Sequence, residues 1–324
     1  MSGRSTRQRD DLTRVEDGKV LFASVGTSPS RPHTMSRMGD VLAGSHAAWE
    51  FESDSVLIRF ERGIRTPKLF QALGERRIPL EAIAGVTLAP GKRGTVVLRA
   101  VPRPGADPLM EAAADQLKES SDPYRLVLPA ERETLAEYYA DELRARLTES
   151  GPAERFLVAA PEVPLQFKAY DAKASFDGRA VSFRWFWTGA SSAKWKAGDQ
   201  SFAVEELSGV EWRSPEVFEG HLRLLRRDDG AERGQPDQDP AAVVFGLGYG
   251  PVHESLPFAA AVLAAVRSGS AGGSGSAPAL AAASPRRDPA DIADRIRHLG
   301  ELYEAGLVTD EEFSVKKAEL LAEL

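Results

Sequence analysis

Apolar residues recur at every second position in short runs through most of this chain, and take helical spacing only where each series of runs closes. In Val56-Leu57-Ile58-Arg59-Phe60 and in Val181 through Trp187, alternate side chains share one face, the period of a half-buried β-strand. Further strands are predicted at Gly94–Val101, Tyr124–Leu128, Gly220–Leu225 and Ala241–Phe245, separated by Gly, Pro and Asp turn residues. At Thr134–Leu147 the period changes: Leu135, Tyr139, Leu143 and Leu147 fall at i, i+4 steps on one helix face. A second closing helix is predicted at Ser255–Arg267.

The pattern occurs twice. Phe51, Val56, Ile58, Arg59 and Phe60 have counterparts 125 positions later in Phe176, Val181, Phe183, Arg184 and Trp185. Leu80, Ile83, Gly85, Val86 and Leu88 recur 124 positions later as Val204, Leu207, Gly209, Val210 and Trp212. The offset drifts to 126 at Gly94, Val96 and Leu98, as small insertions in surface loops would produce. A tandem duplication follows, and it predicts that Phe51 overlies Phe176 and Gly85 overlies Gly209. Antiparallel strands ending in one amphipathic helix bury both apolar faces if the sheet curls and the helix plugs an open end. The expected fold class is therefore α+β, mainly β: two tandem pleckstrin-homology-like β-barrel units, each closed by a C-terminal helix.

The units are expected at 41–150 and 151–267. Residues 1–40 carry scattered Arg, Asp, Ser and Pro without a period and read as a disordered leader, in which Met35 and Met38 offer alternative starts. Residues 268–289 are Gly, Ser, Ala and Pro, a flexible-linker composition. Periodicity returns over 290–324. Ile292, Ile296, Leu299 and Leu302 share a helical face, Gly306 supplies a stop, and Thr309-Asp310-Glu311-Glu312 forms a capping box ahead of Phe313 and Leu320. A two-helix hairpin of this size has too little core to stand alone, since chains below roughly 40 residues usually need a staple or a partner. Ile296, Leu299, Leu302, Leu307, Phe313, Leu320 and Leu321 are the expected contacts with a protein partner or a second copy.

Composition narrows the functional classes. The net charge is −7, but from Asp288 onward ten acidic residues face four basic ones, a net of −6 that leaves −1 for the body. No basic domain or stripe marks a nucleic-acid binder. The chain has no cysteine, which excludes disulfides, a thiol nucleophile and cysteine-ligated metal. No apolar run approaches the roughly 20 residues of a membrane span, and the N-terminal stretch has no apolar segment of secretory type, so a cytoplasmic location is expected.

Candidate chemistry is sparse. The five histidines, at 33, 46, 221, 253 and 298, have no metal-ligand spacing. Ser255 beside His253 and Glu254 stands where a helix N-cap is wanted, and Gly246 to Gly250 reads as a connecting turn rather than a phosphate loop. Phe183, Trp185 and Trp187 are expected to face the core. Arg184, Lys194, Trp195 and Lys196 combine aromatic and basic character and form the candidate patch for a ligand or a lipid headgroup. No catalytic, cofactor or metal residues are assigned.

Two resemblances complete the reading. The stretch from Ile296 to Phe313, followed by Lys316, Lys317, Leu320 and Leu321, resembles the short C-terminal domain called SHOCT, which implies oligomerisation or partner binding. Arg76 to Leu80, Phe167 to Asp171, and Trp185 through Asp199 resemble the bacterial domain-of-unknown-function family numbered forty-four twenty-nine. That family implies tandem copies with the same C-terminal module, and no reaction or cofactor. The expected function is a non-enzymatic binding or scaffold protein; the alternatives are reversible association with an anionic membrane and an enzyme with a site between the repeats.

Overall fold

The computed structural model describes residues 40–228, 234–271, 300, 313–315, 317 and 318. The chain forms two units, 1–265 and 266–324. The first holds both repeats. Repeat one comprises β1 (Asp40–Ala43), β2 (Ala47–Phe51), β3 (Ser55–Phe60), α1 (Lys68–Leu73), β4 (Glu75–Pro79), β5 (Ile83–Pro90), β6 (Thr95–Pro102), α2 (Pro108–Ala113), β7 (Arg125–Pro129) and α3 (Glu133–Arg146). Repeat two comprises β8 (Leu165–Lys168), β9 (Ala172–Phe176), β10 (Ala180–Trp185), α4 (Ser192–Ala197), β11 (Gln200–Ala203), β12 (Leu207–Arg213), β13 (His221–Arg226), β14 (Ala242–Val244) and α5 (Val252–Ala271).

Each repeat is a four-stranded and a three-stranded antiparallel meander closed by a helix, the pleckstrin-homology-like arrangement expected from the sequence. The duplication extends to register. Phe51 faces Val56 across β2 and β3, and Phe176 faces Val181 across β9 and β10. A bulge interrupts pairing between Ile83 and Gly85, and again between Leu207 and Gly209, so the irregularity of the strand is duplicated with it. The two sheets meet in the same way in both repeats: the Ser45 N–H donates to the Val127 carbonyl (2.7 Å), and the Tyr170 N–H to that of Val244 (3.0 Å).

The cores follow from the alternation. Trp49, Ile58, Leu98 and Leu126 from both sheets of repeat one are buried with Ala136, Tyr139, Ala140 and Leu143 of α3. Phe51 stacks on Tyr139 with ring centroids 4.3 Å apart, and in repeat two Phe167 meets Phe258 of α5 edge-on at 5.0 Å. The helix face differs from the expected one: Leu135 is exposed, and the stripe runs through Ala136, Tyr139, Ala140 and Leu143. An unbroken series of i+4 steps turns by about 40° per step on a helix of 3.6 residues per turn, so a straight contact mixes steps of three and four.

Repeat one carries an insertion between β6 and β7 that contains α2, capped by Asp107 with Pro108 at the first helical position. This insertion reaches repeat two. The Gln116 amide donates to the Trp212 carbonyl (3.0 Å) and accepts from the Ser214 N–H (2.9 Å), while Lys118 pairs with Glu216 at 2.9 Å. Gln116 thus closes the edge of β12 as a neighbouring strand would. Replacing Gln116 by Ala strands one carbonyl and one amide, a cost of about 1–2 kcal/mol where water reaches them only in part. Hydrogen exchange at the Ser214 amide should accelerate; an unchanged rate would mean that another group protects it.

In the second unit Gly300, Phe313–Val315, Lys317 and Ala318 are helical, and the Lys317 ammonium lies 5.4 Å from the Phe313 ring centre. Of the expected partner contacts, Phe313 is half-buried; Ile296, Leu299, Leu302, Leu307, Leu320 and Leu321 lie outside the described residues.

Candidate functional site

Three connections converge at one end of repeat two: the β8–β9 turn, the β10–α4 loop and the β14–α5 loop. They are tied by Asp171, whose Oδ1 accepts the Val244 N–H (3.0 Å) and whose carbonyl accepts the Phe186 N–H (2.8 Å). Its Oδ2 accepts from Lys194 Nζ at 2.5 Å, and the two side chains are 1% and 0% exposed. The Gly250 N–H donates to the Lys168 carbonyl at 2.7 Å, which fixes the third connection.

Lys194 therefore does not belong to an exposed patch, contrary to the sequence-based expectation. Helix α4 turns it inward, where its ammonium lies 5.1 Å from the Trp185 ring centre. Burial pulls this ammonium below the ordinary lysine value and pushes the Asp171 carboxyl above its own, while their mutual attraction opposes both shifts. The other three expected residues are nearer the surface. Lys196 is exposed, Trp195 is half-buried, and Arg184 lies 3.9 Å from Asp199.

Trp187 corrects a second expectation. Strand β10 ends at Trp185, so the alternation that buries Phe183 and Trp185 no longer holds two residues later. Trp187 is 40% exposed and packs edge-on against Trp195 with centroids 4.8 Å apart. Nearby, Tyr170 and Tyr249 are 49% and 44% exposed and meet edge-on at 6.1 Å, with Leu247 fully exposed beside Tyr249 in the chain. A Cβ on Gly189 would lie 2.2 Å from the Tyr170 carbonyl, and one on Gly246 would press on the Tyr170 ring. The two loops are thereby packed onto Tyr170, one against its backbone and the other against its ring. The result is an aromatic surface on a fixed frame.

The duplicated positions in repeat one are different in kind. Ser45 stands at Tyr170, Arg62 at Trp187 and Gln71 at Trp195. Below the surface, Phe70 stands at Lys194 and stacks on Phe60 (4.6 Å), where repeat two sets Lys194 against Trp185.

The glycine loop is a connecting turn, as expected: Gly246 bridges to Tyr249, and a Cβ on Gly250, at φ +64°, would lie 2.1 Å from the Phe245 ring. Ser255 is not the N-cap of α5, which begins at Val252. Its buried hydroxyl donates to the Gly250 and Pro251 carbonyls and accepts the Trp212 indole N–H at 3.0 Å. His253 pairs with Glu254 (3.6 Å) at the helix start, where burial lowers the imidazole below its usual value. Among the described residues no group of three or more His, Cys, Asp and Glu side chains is placed to hold a metal ion, and no helix is long and apolar enough to cross a membrane.

A pair present in both repeats was not expected from the sequence. Arg99 Nε lies 3.1 Å from Asp122 Oδ2, and Arg223 Nε lies 3.0 Å from Asp239 Oδ2. Each aspartate also accepts the N–H two residues on, from Tyr124 and from Ala241, and so sets the turn into the last strand of its sheet. Contrary to the drift to 126 expected from the sequence, the offset in this strand stays at 124: Leu98 pairs with Leu88 and Leu222 with Trp212, so Arg99 stands at Arg223. An arginine inside an apolar middle strand was the signal.

A family model described as "Domain of unknown function (DUF4429)" matches residues 49–144 and 174–263, more than half of the chain. A second, "Short C-terminal domain" (SHOCT), matches residues 294–321. No curated protein matches the sequence.

Proposed function

This chain belongs to the DUF4429 family, with two tandem copies and a SHOCT domain, and on that premise we propose that it is a non-enzymatic binding or scaffold protein. Repeat two carries the recognition surface, and the SHOCT domain recruits a partner or a second copy. One observation carries the reading: Tyr170, Trp187 and Tyr249 stand exposed on a framed surface at the end of repeat two, while repeat one has Ser45 and Arg62 at the first two of these positions. Exposed aromatics on a fixed frame suit recognition, because they supply contact area at low entropic cost and are the side chains in which binding energy concentrates. The surface is taken as a protein-binding one. Exposed Lys168 and Lys196 favour a second reading, contact with an anionic membrane, in which tryptophan and tyrosine sit at the headgroup level.

The test uses the full chain and a Trp187→Ser, Tyr249→Ser variant with a matched melting temperature. The expected result is a protein captured from cell extract by the wild type and retained at least tenfold less by the variant. Sedimentation of the wild type with vesicles of phosphatidylcholine plus phosphatidylglycerol, but not of phosphatidylcholine alone, would favour the membrane reading. Identical captures and no sedimentation for either protein would refute both.

A further inference from the structure

On repeat one, a groove of about 470 Å³ runs between β5 and α3. One wall is Leu88, Ala89 and Pro90 of β5; the other carries Glu133, Glu137, Asp141 and Arg144 of α3, the arginine being held by Asp141 and the Val86 carbonyl. Strand β5 is the outer strand of its sheet, paired only with β6. The Gly91 N–H donates to Thr95 within the hairpin, so odd-numbered positions here bond inward and even-numbered ones bond outward. The Val86 carbonyl confirms the outward set, since it accepts from Arg144 Nε at 3.0 Å. Beyond it, the Leu88 N–H and carbonyl and the Pro90 carbonyl line the groove, and among the described residues Leu88 has no backbone partner on that edge.

Repeat two shows what this edge accepts. There the corresponding positions are Trp212 and Ser214, and both outward groups are bonded by the Gln116 amide, a side-chain stand-in for a peptide backbone. The space between strand and helix is filled as well: Trp212, in place of Leu88, is buried and bonds Ser255 of α5. The duplicated edge is thus covered in repeat two and open in repeat one.

Charge selects the occupant. Glu133, Glu137 and Asp141 fall at i, i+4 and i+8 on α3, and only Asp141 is paired, with Arg144 at 2.7 Å. Two carboxylates stand without a cationic partner among the described residues, which repels phosphate and favours amines. Glu133 and Glu137 are separated along the helix by about 6 Å, and alternate side chains of an extended strand by about 6.7 Å. We propose that the groove between β5 and α3 docks an extended peptide segment of another protein, bound as an added strand on β5 with lysine or arginine at alternate positions facing Glu133 and Glu137.

The probe is a fluorescein-labelled heptapeptide of alternating lysine and valine, titrated into the full chain and followed by fluorescence anisotropy. Saturable one-to-one binding is expected, and Glu133→Gln with Glu137→Gln should weaken it at least tenfold. A strand uses only alternate amides for pairing. Of two versions of the peptide, N-methylated on all lysines or on all valines, one should therefore lose at least tenfold and the other stay within about twofold. Trp187→Ser should leave the affinity unchanged, which keeps this outcome separate from that for the aromatic surface. No saturable binding, an affinity indifferent to the two glutamines, or equal effects of the two methylation patterns would overturn the proposal.

Discussion

Asp107→Ala should destabilise the first unit by about 3–5 kcal/mol, the range for removing one partner of a buried charge pair. Asp107 is fully buried and accepts two bonds from Arg76, at 2.8 and 2.9 Å, and a third from the Tyr124 hydroxyl at 2.8 Å. It also accepts the Leu109 N–H and so caps α2. Burial alone would lower the Arg76 guanidinium; Asp107 and Tyr124 more than reverse this and hold it above its ordinary value. Removing the carboxylate leaves that cation in the interior without its counterion. The double variant Arg76→Met, Asp107→Asn should be less damaging than the single change, because Asn still caps α2 and meets the Tyr124 hydroxyl with no charge left behind. Urea denaturation of the three proteins decides the matter: if the double variant is as unstable as Asp107→Ala, the cost lies in packing and not in the stranded charge.

Arg76 and Asp107 tie the insertion that bears α2 to the sheet, and the same insertion presents Gln116 to β12. In repeat two, Gln200 stands at Arg76 and Ala241 at Tyr124, so the network has no counterpart there. The two repeats keep one backbone plan and differ in what has been placed on its ends. Repeat one gains an insertion that holds its neighbour and leaves its own edge open; repeat two has that edge covered and gains an aromatic surface.

The strands and the duplication were legible because they rest on apolar period and glycine placement, which are local. Phe51 with Phe176 and Gly85 with Gly209 needed only a nearly constant offset, 125 and then 124, to be matched. The signal for α2 was also present, as Asp107-Pro108 ahead of Leu109, Met110 and Ala112, a cap followed by a proline at the first turn. It went unread because repeat two has nothing to align with it. The site was less legible for a different reason. Asp171 and Lys194 are 23 residues apart on different elements, and only the fold decides that α4 turns its lysine inward. Sequence gives a lysine beside a tryptophan the look of a surface patch. Trp187 failed in the opposite sense: the alternation that buries Trp185 holds only while the chain remains a strand.

Asp171→Ala is the second change expected to cost about 3–5 kcal/mol, since it leaves Lys194 enclosed and removes the acceptor that ties Val244 to the β8–β9 turn. The penalty should depend on pH. Burial already depresses the lysine, and without Asp171 nothing nearby of comparable strength opposes the depression. Between the folded and unfolded lysine values the unfolded chain then holds the extra proton, so stability of the variant rises with pH. Its deficit against the wild type should narrow from about pH 7 to about pH 9. Asp171→Asn with Lys194→Met removes both charges while Asn keeps an oxygen for the Val244 N–H, and repeat one already places an apolar side chain, Phe70, at this position. That double variant should recover most of the lost stability and lose the pH dependence. Equal urea midpoints for the single and double variants at both pH values would show that the pair contributes through shape alone, and the charge-based account of this end of repeat two would fail.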